Sequence, residues 1–235
     1  MRWEKPFFVH LAVPRASVEA RLPATLTLDA NGDEATISVV ALGCVGPAPK
    51  IVERTRLSFL ARYRQLNVRT YVHGPHGRGL WFFDARVDRL LATAPRLLGQ
   101  PYRRDTTLAY DADDQGVALR ARGIRVKGLP APGAPTEVDK TSPTGDRLER
   151  YLSYGSLAGL LYVVRVGHPH WRVRDVEVDP DSRIDLAGLG TGRILGAQLA
   201  ETVDVTIDEV RPASAVTGLR QLVGRAALGL VMATP

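Results

Sequence analysis

The sequence predicts an α+β fold built mainly of antiparallel strands. Apolar and polar residues alternate through much of the chain with the period of a half-buried strand. Neighbouring runs are joined by tight glycine turns, HGPHGRG at 73–79 and Asp113–Gly116, which favour hairpins and hence antiparallel pairing. Helical periodicity is confined to a few segments.

Strands are expected over 7–13, 34–43, 57–72, 80–87, 106–111, 117–126, 158–166, 172–178 and 202–210. A short helix from Pro14 to Leu22 carries Pro14 in its first turn and is stopped by Pro23. A second, Leu90 to Leu98, is ended by Gly99 and Pro101. A third, Thr144 to Leu152, has Thr144 or Asp146 as its cap and Glu149, Arg150 and Tyr151 in its body. The longest runs from about Ser214 to Val231, where Val216, Leu219, Leu222, Val223 and Ala226 recur at helical spacing. That stripe packs on the sheet or on a twin subunit. The Pro/Gly-rich stretch 127–143 reads as a surface loop, in the position of a lid, within one domain spanning 1–235.

A chain of 235 residues buries enough surface to be stable without disulfides or structural metal. The single Cys44 forms no intramolecular bridge and suits a reducing compartment. Charged Arg2, Glu4 and Lys5 run straight into strand-like FFVHLAV, which argues against a signal peptide. No apolar run of about 18 residues occurs, so no membrane role is expected and the chain reads as soluble and cytoplasmic. Most of the positive charge behind the net +6 is arginine, dispersed among carboxylates as in Arg172-Arg174-Asp175-Glu177. Such a distribution speaks to solubility and argues against nucleic acid. His168 with His170, and His73 with His76, lack a third ligand at metal-binding spacing. Gly188-Leu189-Gly190-Thr191-Gly192 follows an acidic loop and reads as a turn, not a phosphate cradle. No metal and no cofactor is expected.

Several motifs point to a family. Asn67-Val68-Arg69-Thr70-Tyr71-Val72, Gly79-Leu80-Trp81-Phe82-Phe83 and Leu98-Gly99-Gln100-Pro101-Tyr102 resemble the YqjF-like family of unknown function. Glu149-Arg150-Tyr151, His168-Pro169-His170-Trp171 and the opening Trp3 with FFVHLAVP and Leu22-Pro23 fit the same pattern. That family is placed with the acetoacetate decarboxylase-like superfamily. The resemblance implies a curved antiparallel sheet closing into a barrel- or cone-like body around a central cavity, with a few peripheral helices.

Two departures bear on chemistry. Decarboxylation in the superfamily uses a Schiff-base lysine with a lysine beside it, in Gly-x-Pro-Lys-Lys. Here Tyr102 and Arg103 occupy those positions; a phenol forms no imine and a guanidinium stays protonated. Of the lysines Lys5, Lys50, Lys127 and Lys140, only Lys127 ends a strand, on a face shared with Arg125 that reads as solvated. The family also commonly shows Glu where this chain has Gln65.

Asn67, Arg69 and Tyr71 project from one side of their strand, and alternation alone leaves open whether that side faces a pocket or solvent. With Tyr102, Arg103 and Arg150 they form the candidate set for gripping a small anionic or carbonyl-bearing molecule. Tyr102, His168 and Glu149 are the candidates for acid–base catalysis, of lyase or hydrolase type without a Schiff base. Self-association as a homodimer through the terminal helix is the third reading.

Overall fold

A computed structural model describes residues 1–30, 32–46, 62–186, 188–190, 192–208 and 210–213. Its first strands are β1 (Arg2–Pro14), β2 (Thr27–Leu28), β3 (Glu34–Val45), β4 (Arg62–Gly74), β5 (Gly77–Val87), β6 (Tyr102–Arg104), β7 (Ala109–Ala112), β8 (Val117–Ala121) and β9 (Ile124–Pro130). There follow β10 (Thr136–Glu137), β11 (Leu152–Leu157), β12 (Leu160–Gly167), β13 (Arg172–Val178), β14 (Arg183–Ile184), β15 (Arg193–Ala200), β16 (Val203–Asp204), β17 (Thr206–Ile207) and β18 (Arg211–Pro212). Two short α-helices, α1 (Arg15–Glu19) and α2 (Pro143–Leu148), and a 3-10 helix at Leu91–Leu98 accompany them.

The strands join in one connected set of ladders. A continuous path runs β8–β9–β13–β15–β1–β3–β4–β5–β11–β12, antiparallel throughout except at β5–β11. The expected mainly antiparallel sheet with few helices is therefore what forms. Closure into a barrel is not met. Beyond that path β12 pairs with β17 and β1 with β16, but among the described residues these two-residue strands do not pair with each other.

The central strands β1, β3 and β4 are buried on both faces; β1 and β3 are mostly apolar along their buried stretches, whereas β4 alternates, with Gln65, Asn67 and Arg69 between apolar residues. One face of β1 (Phe7, Val9, Leu11) packs with Ile37, Leu66 and the β8–β9 hairpin in the main core. The other face (Phe8, with His10 beside it) meets Val40, Leu42 and Trp171. The site lies on this second side.

Several boundaries differ from the sequence reading, each for a local reason. The strand expected at 117–126 is a hairpin: buried alternation slips between Ala121 and Ile124, and Gly123 takes a left-handed φ of +75° in the turn. The strand expected from 158 begins at Leu160, because Ala158 (φ 51°) and Gly159 (φ 80°) form the β11–β12 turn. The glycine turn expected at 73–79 tightens to Pro75-His76, with Gly74 paired to Gly77. The third helix starts at Pro143, capped by the Ser142 hydroxyl accepting from Gly145 N at 3.0 Å, and stops at Leu148. Glu149, Arg150 and Tyr151 therefore lie beyond it. Part of the 127–143 loop is strand, since β9 runs on to Pro130 against β13. β15 and β6 were not expected, and 202–210 breaks into β16 and β17. The start of the strand expected at 57 and the terminal helix expected at 214–231 lie outside the described residues. No helix among the described residues is long and apolar enough to cross a membrane.

Candidate functional site

The polar face of β4 turns inward. Leu66 and Val68 enter the main core, while Asn67 and Arg69, 4% and 7% exposed, look onto a cavity of about 270 Å³. That volume admits a small organic molecule. Its walls come from β3 (Val40, Leu42), β5 (Leu80, Phe82), β11, β12 (Val164, Val166) and the 3-10 helix (Pro95, Leu98), with Trp171 at one end. Most of the lining is apolar. Its polar groups are few and convergent, the usual composition of a ligand site.

Tyr102 reaches the cavity through the geometry of the preceding turn. Gly99 closes the 3-10 helix in a left-handed conformation (φ 75°), and a Cβ there would lie 1.9 Å from the Ser156 carbonyl oxygen. The chain then enters β6, a parallel partner of β5 with Tyr102 opposite Ala85. Gln65 Nε2 donates to the Tyr102 hydroxyl at 3.0 Å and to Asn67 Oδ1 at 3.0 Å. Gln100 Nε2 donates to the Tyr162 hydroxyl at 2.7 Å. Burial pushes the Tyr102 phenol well above its ordinary value, so it stays protonated and acts as a hydrogen-bond donor.

Arg69 is the unusual member. Its guanidinium carbon sits 5.6 Å from the Phe8 ring centroid, and its Nε is buried without a well-formed hydrogen bond. Among the described residues no carboxylate pairs with it. Burial lowers its pKa, but a guanidinium remains charged at any working pH. Arg150 also lines the cavity, yet it is neutralised: one Nη donates to Asp29 at 2.9 Å and to Asp146 at 2.8 Å, and Nε donates to the Asp146 carbonyl at 2.6 Å. His168 lines the same cavity, stacked on Tyr151 (4.5 Å between centroids) and with Trp171 tilted against its ring (4.6 Å). Burial lowers its pKa and keeps the ring neutral near pH 7.

The other candidates stand elsewhere. Tyr71 lies behind the cavity wall, with the Arg150 guanidinium 5.4 Å above its ring and its hydroxyl 2.6 Å from Ser38 Oγ. Arg103 points outward, because β6 alternates, and pairs with both oxygens of Asp84 at 2.8 and 2.6 Å. Glu149 does not line the cavity. Burial works against its carboxylate, but hydrogen bonds from the Tyr151 hydroxyl, Trp171 N and His170 outweigh this and hold its pKa below the usual glutamate value. Lys5, Lys127 and Lys140 are absent from the lining, and Lys50 lies outside the described residues. No Asp, Glu or Lys lines the cavity among the described residues. The sequence reading missed Gln100 and Tyr162 in the site and His10 and Ser38 behind it; the only available signal was a polar residue placed inside each apolar run.

The architecture is that of acetoacetate decarboxylase-like proteins. It is similar to the enduracididine biosynthesis enzyme MppR complexed with pyruvate, at a TM-score of 0.64 and 10% identity, covering 91% of this chain and 89% of that one. An acetoacetate decarboxylase-like enzyme from Sphingomonas wittichii RW1 matches at a TM-score of 0.61 and 16% identity, over 90% of this chain and 91% of that one. Acetoacetate decarboxylase from Legionella pneumophila matches at 0.61 and 11%, over 91% and 86%. Identities this low show a shared fold alone. In sequence, the chain is 25% identical to the uncharacterized protein YqjF of Bacillus subtilis (strain 168), over 75% of each chain. The chain belongs to DUF2071, a family of uncharacterized conserved proteins whose model matches residues 1–198.

Proposed function

We propose that the cavity binds a small organic carboxylate, with Arg69 holding the anionic group and the Tyr102 hydroxyl donating to a carbonyl or hydroxyl oxygen. One observation carries this reading: the Arg69 cation is buried against the cavity with no carboxylate beside it among the described residues. Taking a charge out of water costs several kcal/mol unless a counter-charge or polar shell compensates. An anionic ligand supplies the missing partner, and Arg is the side chain best shaped for a bidentate carboxylate. The neighbouring Arg150 cannot serve equally, since Asp29 and Asp146 already offset it. Apolar walls suit a short hydrocarbon portion. MppR, of like fold, is described with pyruvate, a molecule of this class. The test is calorimetric titration with pyruvate, acetoacetate and hexanoate. At least one should bind, and Arg69→Ala should abolish the heat; unchanged binding in that variant would remove Arg69 from the site.

A second reading rests on His168, whose neutral imidazole lines the cavity and can accept a proton. It makes the protein an acid–base enzyme of lyase or hydrolase type, with Tyr102 orienting substrate. A turnover whose acid limb vanishes in His168→Gln supports it; a profile unmoved by that change dismisses it.

A further inference from the structure

Behind Arg69 lies a string of buried polar groups that the binding reading leaves unused. Ser38 Oγ is 2.6 Å from the Tyr71 hydroxyl and 2.6 Å from His10 Nδ1. His10 and Ser38 are wholly buried, and Tyr71 nearly so. On the far side, Gln198 Nε2 donates to Asp175 Oδ1 at 3.0 Å. His10 Nε2 and Gln198 Oε1 are each buried without a well-formed partner. Register brings them together: His10 stands opposite Gly196 on β15, and the Gln198 amide leans over that glycine, 3.5 Å from where its Cβ would be.

A carboxylate oxygen only accepts, so Gln198 presents its NH₂ to Asp175, which leaves its carbonyl as the acceptor available to the unpartnered His10 Nε2. Pairing those two atoms puts the His10 proton on Nε2 and leaves Nδ1 as an acceptor. Ser38 Oγ, at 2.6 Å from Nδ1 against 3.5 Å for the Tyr71 hydroxyl, then donates to His10, and Tyr71 donates to Ser38. The Tyr71 oxygen is left as an acceptor, and Arg69, two residues earlier on β4, has a buried Nε without a well-formed hydrogen bond.

We propose that Asp175, Gln198, His10, Ser38 and Tyr71 form a one-directional hydrogen-bond relay that positions Arg69 as an anion receptor without placing a carboxylate at the site. The proposal rests on the binding reading for its purpose, though not for its geometry. A carboxylate in direct contact would fix Arg69 equally well, but it would also compete with the ligand. The relay holds the guanidinium through neutral groups whose aligned dipoles turn their acceptor ends toward the cation and leave its outer N–H groups facing the cavity. His10, Ser38 and Gln198 are positioning residues on this account.

The experiment uses the full-length protein labelled with nitrogen-15 in histidine, with His10 assigned by its loss in His10→Gln. Long-range nitrogen–proton correlation should show a proton on Nε2 and none on Nδ1; a proton on Nδ1 overturns the relay, whether or not anything binds. Hexanoate affinity is then measured for Ser38→Ala and Gln198→Leu, with Ser38→Thr as the conservative variant. Loss of a hydrogen bond that serves a charged group predicts a fall of about tenfold or more in the first two. Ser38→Thr, which keeps the hydroxyl, should bind nearly as the parent does. Lower stability with unchanged affinity in Ser38→Ala and Gln198→Leu reduces the string to core structure and overturns the positioning role. Failure of the parent protein to bind hexanoate, pyruvate or acetoacetate sinks the binding reading while the tautomer still decides the relay.

Discussion

Gln65 and Tyr102 touch, with the amide of one donating to the hydroxyl of the other at 3.0 Å. The two positions that the sequence marks as departures are therefore neighbours in space, an amide beside a phenol. Gln65 is buried and Tyr102 half-buried, and both are neutral, so neither leaves an unpaired charge in an apolar cavity. Together they make a hydrogen-bonding wall.

Acetoacetate followed by borohydride should leave the intact mass of the protein unchanged. No amine lines the cavity among the described residues, and the lysines seen there, Lys5, Lys127 and Lys140, stand outside it. A stable adduct in the mass spectrum, on Lys127 or any other lysine, would restore imine chemistry.

Arg69→Met should make the ligand-free protein more stable, by about 1 kcal/mol or more, while ending carboxylate binding. An apolar side chain of similar length replaces a buried cation that lacks a direct counter-ion among the described residues, and such exchanges are often stabilising. Urea denaturation monitors the first effect and titration the second. A destabilised variant would mean that the cation is better compensated in the unliganded protein than its contacts indicate.

His10 should give stability a pH dependence on the acid side of neutrality. Burial, aided by the positive charges of Arg147 and Arg69, lowers its pKa from 6.5 to about 3. Below pH 6.5 the unfolded chain takes up a proton there that the folded protein refuses, so folding weakens as pH falls from 6.5 toward 3. The slope from this group reaches at most about 1.4 kcal/mol per pH unit. Between pH 6.5 and 5, above most carboxylate titration, denaturation midpoints should fall less steeply in His10→Gln than in the parent. Equal slopes would contradict a neutral buried imidazole.

Gly99→Ala should destabilise the fold and displace Tyr102. The φ of +75° disfavours a side chain, and the added Cβ would meet the Ser156 carbonyl at 1.9 Å. Relief requires the Gln100–Tyr102 segment to shift, which breaks the bond to Gln65. A cost of more than about 1 kcal/mol is expected, together with weaker ligand binding; a neutral substitution would show that the corner can move freely.

Much of this architecture was legible in the residue order. Two-residue alternation marked β4, β8 and β13, because one face of a strand must differ from the other where it is half buried or packs on unlike neighbours. The motifs around Asn67-Val68-Arg69 and Gly99-Gln100-Pro101-Tyr102 gave the family, and with it the fold. Boundaries were less legible where a glycine with positive φ turned the chain inside an apparently continuous run, as at Gly123 and Gly159. β15 was hidden because a strand buried at one end and exposed at the other shows no clean alternation.

Alone, then, the order of amino acids determined that strands would pair antiparallel and that no lysine would stand where the superfamily places its nucleophile, since both are local properties of the chain. Which side of β4 faces a cavity, that Arg103 turns out to Asp84 while Arg69 turns in, and that Gln65 meets Tyr102 were decided only by the tertiary structure. Alternation fixes which side chains share a face. What covers that face depends on strands contributed from distant parts of the chain, and no local pattern records it.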